Sequence, residues 1–205
     1  MKNYLLIVLL TLPLLTLSMT ANAIEEPSYT IGGHFGDIEE RLYAPYLVAE
    51  VRVSGSQAAA GSEAFPILAG YIFGRNKRNE KMPMTAPVTQ VPENKVLPMT
   101  APVIQNVLPD GYLVQFVLPR AVTRDTAPVP LDSRVTIREV AARHVAVIRY
   151  SGFWTESNYN AHLKLLQDGL KAAGRPWTGN PIYARYNAPF VPWFMRRNEI
   201  WLVLA

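Results

Sequence analysis

With 205 residues, 49% of them hydrophobic, the chain can bury a sizeable core, and its lack of cysteine excludes disulfides, thiolate metal centres and thiol catalysis. The formal charge is +4, but the basic residues are scattered, so the concentrated basic face of a nucleic-acid binder is missing and no nucleic-acid partner is expected.

The first predicted element is a targeting segment. Lys2 gives a positive start, Tyr4 to Leu17 is almost wholly apolar, and Ala21-Asn22-Ala23 has the small-x-small form of a signal-peptidase site. The apolar run falls short of the roughly 20 residues that span a bilayer, which predicts a removable leader over 1–23 rather than an anchor. One domain over 24–205 should follow, periplasmic or secreted, with no stable membrane insertion once the leader is gone. Mass spectrometry of the exported protein should find Ile24 as the first residue; intact Met1 on a membrane-held form would refute the cleavage.

YLVAEVRVSG (46–55) reads as a half-buried strand, with Leu47, Ala49, Val51 and Val53 on one face and Glu50 and Arg52 on the other. A helix with the stripe Phe65, Leu68, Ala69 and Ile72 follows, and Pro66 inside it predicts either a bend there or a late start at Ser62. The basic cluster Arg75, Lys77, Arg78 and Lys81 comes next, as a solvated loop or a site of anion attraction. PMTAPV then occurs twice, at 83–88 and 98–103. As a strand the first copy would place Met84, Ala86 and Val88 on one face, and its prolines, which lack amide hydrogens, would confine it to an edge or a barrel seam. A turn around Pro92 would pair the two copies as a hairpin.

Strands are predicted at 112–119, 135–140 and 144–150. A second helix carries Tyr159, Leu163, Leu166, Leu170 and Ala173 on one stripe, Ser157 or Asn158 as its N-cap and Gly174 just past its end. Strands at 182–186 and 199–204 complete the chain. Strand, Ser-Gly turn and helix thus occur twice, the pattern of an internally duplicated α+β domain.

Several segments together resemble the SOUL haem-binding protein family: LYAPYLVAEVRVSG, YIFGRN, KMPMTAPV, YLVQFVLPR, VAVIRYSGFW and PIYARYNAPFVPWFMRRNEIWLVL, in family order over nearly the whole mature chain. The doubled MTAPV resembles bacterial members. The resemblance implies a distorted antiparallel β-barrel flanked by two helices, built from two pseudo-symmetric strand-helix-strand halves, and non-covalent binding of haem or another tetrapyrrole. Where some members have a histidine proposed as an axial ligand, this chain has Leu42, which leaves the family's hydrophobic-cleft mode.

A porphyrin needs an apolar slot for its faces and cations for its propionates. In the mode the resemblance implies, Phe65, Leu68 and Ile72 would supply the slot, Arg75, Lys77 or Lys81 the cations, and Met82 and Met84 soft lining. The same apolar residues also read as core. His34, His144 and His162 are the histidines open to iron, none with a spacing partner. No G-x-S-x-G, H-E-x-x-H or phosphate-cradling loop is present, and scattered acids such as Glu139 and Glu156 form no catalytic motif, so a non-enzymatic binder is expected. The alternative is a binder of other small amphipathic ligands, like the bacterial effector-binding domains of similar architecture.

Overall fold

A computed structural model describes residues 24–93 and 111–205; the predicted leader and the second PMTAPV copy lie outside the described residues. The strands are β1 (Tyr29–Phe35), β2 (Ile38–Tyr43), β3 (Tyr46–Val53), β4 (Val88–Glu93), β5 (Gly111–Val117), β6 (Thr136–Val140), β7 (Arg143–Tyr150), β8 (Trp177–Arg185) and β9 (Asn198–Leu204). All pair antiparallel in one sheet, in the order β1-β2-β7-β9-β8-β4-β5-β3-β6. Helix α1 (Gln57–Ile72) follows β3 and packs on β3 and β5; helix α2 (Glu156–Ala172) follows β7 and packs on β7 and β9. The expected α+β fold with two helices and two pseudo-symmetric halves is present, and the hydrogen-bonded order is open, with β1 and β6 at its ends.

β3-α1-β4-β5 and β7-α2-β8-β9 are the two repeats, and they meet where β4 pairs with β8. Each repeat is preceded by a strand it gives away. Only Ala44 and Pro45 separate β2 from β3, yet β2 pairs with β7; only Ala141 and Ala142 separate β6 from β7, yet β6 pairs with β3. The halves therefore exchange their leading strands, which ties them together by main-chain hydrogen bonds as well as by packing.

Alternation along the strands builds a core on each side of the sheet. On the helix side Leu47, Ala49, Val51 and Val53 pack with Leu68 and Ile72 of α1, while Ala146, Ile148, Ile200 and Leu202 pack with Leu166 and Leu170 of α2. On the other side Val145 and Val147 join Tyr43, Ile182, Ala184 and Trp201. The predicted alternation in β3 is thus found, and both faces of β7 are buried over Val145 to Ile148.

Both helices end alike. In α2 the amides of Gly174 and Arg175 return to the carbonyls of Lys171 and Leu170, and Gly174 takes φ +64 as predicted; in α1 Gly74, at φ +107, and Arg75 return to Tyr71 and Gly70. The N-caps differ from expectation. Thr155 caps α2, accepting from the amide of Asn158, and Ser56 caps α1, so α1 starts at Gln57, five residues before Ser62, and runs through Pro66. Burial of Ala60, Ala64 and Leu68 on the sheet outweighs the ladder bond that a proline cannot make.

The PMTAPV segment also departs from its expected form. Residues 81–87 form no strand; β4 begins at Val88, directly after Pro87. It lies at the seam between the halves, and its pairing with β8 stops at Gln90, so Pro92 falls where β8 asks for no amide. Pro92 sits within β4 rather than in a turn. β1 and β2 were not predicted. β1 is a mostly exposed edge strand with a bulge between Ile31 and Gly33, so its composition shows little apolar alternation.

Candidate ligand-binding site

The residues predicted for an apolar slot separate into core and surface. Leu68, Ile72 and Met82 are buried together between α1 and the sheet, and half-buried Met84 packs against them. Phe65 remains 45% exposed, its ring edge-on to Phe116 at 5.5 Å. Arg75, Lys77 and Lys81 are exposed beyond the helix end, with the Arg75 side chain folded over Gly70. Leu68 and Ile72 therefore offer a ligand no open face, and the three cations stand outside the core they were expected to border.

Sequence reasoning did not find a second place, the cleft at the seam between the N-terminal halves of the two helices. Gln57, Gly61 and Phe65 succeed one another at four-residue spacing and so line one stripe of α1. Across from Gln57 stand Tyr150, Trp154 and Tyr159, with Tyr183 and Arg185 of β8 between, and Gly61 faces Arg185 as well. Tyr183 lies against Tyr159 at 3.7 Å between centroids, tilted by 31°, and meets Tyr112 edge-on at 6.4 Å. Burial pushes the Tyr150 hydroxyl up to about 12 and those of Tyr159 and Tyr183 higher still, so all three are protonated at neutral pH.

Arg185 is the unusual member of this cleft. Among the described residues it meets neither a carboxylate nor a hydrogen-bond acceptor; its guanidinium lies over the Trp154 ring, 4.8 Å from the centroid. Burial and, in lesser part, the charge of Arg196 lower its pKa, without making an arginine neutral. Arg196 lies over the same ring at 4.4 Å, so two cations contact Trp154 while its indole N–H donates to Asn198 at 2.7 Å. Exposed Glu156 opens α2, and its charge is felt at Tyr112 and Tyr183.

Phe153, next to Trp154 in the chain, belongs to an aromatic shelf. Phe153 stacks on Trp193 at 5.0 Å and 10°, and Trp193 meets Phe194 edge-on at 5.4 Å. Phe190 is 88% exposed and Met195 65%. This loop is fixed from beneath, since Gly152 donates its amide to Trp193 and Arg196 donates to the carbonyls of Val191 and Pro189. So many exposed apolar side chains on a tethered loop mark a surface that meets a ligand or partner.

None of the histidines lies in a metal cluster; among the described residues no group of three His, Cys, Asp or Glu is placed to hold an ion. His34 is exposed near Glu39, and His144 lies 3.1 Å from Glu40. His162 stacks on Tyr150 at 4.2 Å, and its Nδ1 lies 2.7 Å from the Asn158 carbonyl. A carbonyl only accepts, so Nδ1 carries the proton.

The SOUL heme-binding protein model matches residues 24–203. The chain belongs to this family. Mouse Heme-binding protein 1 is 31% identical over 169 residues, covering 82% of this chain and 84% of that protein, and human Heme-binding protein 2 is 30% identical over 189 residues, covering 89% and 87%. The SOUL chain also shares its fold with more distant solved structures. A conserved protein from Listeria innocua superposes with a TM-score of 0.60 at 11% identity, covering 82% of this chain and 92% of that one. The C-terminal domain of EcmrR gives 0.55 at 14% identity, covering 86% and 98%.

Proposed function

We propose that this SOUL protein binds haem or a related tetrapyrrole non-covalently and acts on it as a carrier or buffer, with no chemistry of its own. The shelf of Phe153, Trp193 and Phe194 carries the reading. It offers flat apolar area to a macrocycle face, and the neighbouring charges are the cations Arg185 and Arg196. A flat, apolar anion matches that surface. The relatives named as heme-binding proteins support the same ligand class. With the leader removed as expected, binding would take place in the periplasm or outside the cell.

An amphipathic cation is the second reading, and Glu156 at the cleft rim is the observation in its favour. The better buried acids are already engaged: Glu40 by Arg175 and His144, Glu50 by Arg138 and Gln115, and Glu199 by Arg41 and Arg197.

Titration with haemin, followed at the Soret band, tests both readings. Trp193→Ala should weaken binding about tenfold or more, as removal of a central aromatic anchor does. Lys77→Glu should leave it unchanged; the reverse result would move the ligand to the end of α1. Alanine at His34, His144 or His162 should change little, and iron-free protoporphyrin should bind nearly as well, because apolar contact supplies the affinity. A lipophilic cation that saturates the protein while haemin does not would establish the second reading instead.

A further inference from the structure

We propose that the pair of segments at the C-terminal end of α1 attaches this protein reversibly to anionic membrane surfaces, with Phe73, Val129 and Leu131 entering the lipid interface and Arg75, Lys77 and Lys81 meeting the headgroups. The proposal does not depend on the tetrapyrrole reading, which places its ligand on another loop.

The backbone decides which side chains point outward here. Residues 75–77 lie antiparallel to 129–131: Lys77 donates its amide to the Val129 carbonyl at 2.9 Å, Leu131 donates to that of Arg75 at 3.3 Å, and Asn76 faces Pro130 between them. Asn76 is 2% exposed, its side chain turned inward to donate to the carbonyls of Tyr71 and Glu80 at 3.1 and 2.8 Å. Alternation sends its neighbours the other way, which sets Arg75 opposite Leu131 and Lys77 opposite Val129 on the outer face. Leu131 is 64% exposed, Val129 54%, and Phe73, the last residue before the Gly74 turn, 57%. The Tyr71 hydroxyl donates to the Pro128 carbonyl at 2.9 Å and ties the second segment down from beneath, so the apolar side chains are held facing water. Exposed apolar groups fixed in this way mark a contact surface.

Charge selects what that surface meets. Residues 73–81 and 129–134 carry five cations against two carboxylates. Asp132 is engaged by Arg134 at 2.7 Å, and Glu80 stands 3.9 Å from Arg78. Among the described residues Arg75, Lys77 and Lys81 make no ion pair. The C-terminal end of α1 is worth about half a negative charge, so it accounts for one of these cations at most.

Apolar side chains alone would suit any apolar partner, and cations alone any polyanion. Their alternation on one outward face matches a bilayer containing anionic lipid, where apolar tips sink below the phosphates and long basic side chains stay level with them. The basic cluster 75–81, read from the sequence as a site of anion attraction and left unused by the aromatic shelf, has its partner in those headgroups.

Flotation of the exported protein with vesicles of phosphatidylcholine, alone or with phosphatidylglycerol added, tests the proposal. Binding should require phosphatidylglycerol and weaken as salt is raised. Lys77→Glu combined with Lys81→Glu should weaken it about thirtyfold or more, at roughly fivefold for each basic residue that faces the surface. Phe73→Ser combined with Leu131→Ser keeps every charge and should weaken it about tenfold or more. Lys171→Glu, an exposed reversal on the other helix, should leave it within about twofold. All these side chains are exposed, so thermal melts should stay near wild type. Equal binding to both vesicles, binding to neither, or a loss with Lys171→Glu as large as with the paired reversal overturns the proposal. Binding that the charge reversal removes and the two serines leave intact overturns it too, because the surface would then be a site for a soluble polyanion. Haemin titration of the same variants reads tetrapyrrole binding separately, so either result stands without the other.

Discussion

Glu199→Gln should cost about 3 to 5 kcal/mol of folding stability, the usual result of breaking a buried ion pair from one side. The Glu199 side chain is wholly buried on the helix-free face of β9. It accepts from Arg41 at 2.9 and 3.3 Å, from Arg197 Nε at 2.9 Å, from the Tyr186 hydroxyl at 2.7 Å and from the Trp201 indole at 2.8 Å. An amide keeps the shape but loses the charge that two guanidiniums share, and its NH2 presents donors to donors. Arg41 is itself buried, so it cannot turn to water for compensation. For a domain of this size the melting temperature should fall on the order of 10 °C.

The same carboxylate should show in the acid limb of the stability curve. Burial alone would raise its pKa, but the charges of Arg41 and Arg197 and the hydrogen bonds from Arg41 and Tyr186 outweigh burial and hold it below the ordinary 4.5. A carboxyl depressed in the folded state stabilises fully above its unfolded value, and that contribution is lost as pH falls through the lower folded value. Glu199→Gln removes the titrating group, so urea melts should show a flatter loss of stability below about pH 4.5 than in the wild type. A variant as stable as wild type, with the same acid limb, would show that this network does not stabilise the fold.

How much of this was legible in the sequence follows from where each signal lives. The alternation of β3 and the duplicated strand-helix order are local patterns, and the first was readable because on a strand with one polar face one side chain in two must be apolar. The exchange of β2 and β6 between the halves is not local. Two-residue links such as Ala44-Pro45 suggest a hairpin to the adjacent strand, whereas the pairing is settled by which distant strand is free to accept it. The cleft escaped for a related reason. Gln57, Arg185 and Tyr159 lie on three separate elements, and an arginine without a carboxylate is visible only once the fold shows what surrounds it. The aromatic loop 190–195 was quoted for its resemblance alone. Its density of Phe and Trp between prolines was the signal that marked it as a surface, since a loop cannot bury so many rings.

Leu68→Ala separates the two roles that periodicity leaves joined. On a helical stripe, a core leucine and a ligand-lining leucine look the same, because both follow the 3.6-residue repeat. In the structure Leu68 is completely buried and packs with Tyr71, Ile72 and Met82 against β3 and β5, while the aromatic shelf lies on another loop. Truncation should therefore leave a cavity under α1 and cost about 2 to 5 kcal/mol, lowering the melting temperature by around 10 °C in a domain of this size. Porphyrin affinity measured well below that temperature should stay within about twofold of wild type, since no ligand surface is removed and core substitutions far from a site add independently. Trp193→Ala should do the opposite, weakening the porphyrin and sparing the melt, because Trp193 is about half exposed and its loss opens no cavity. If Leu68→Ala instead weakened porphyrin binding tenfold with little change in melting, the ligand would have to insert between α1 and the sheet, and the slot expected from Phe65, Leu68 and Ile72 would be the binding site after all.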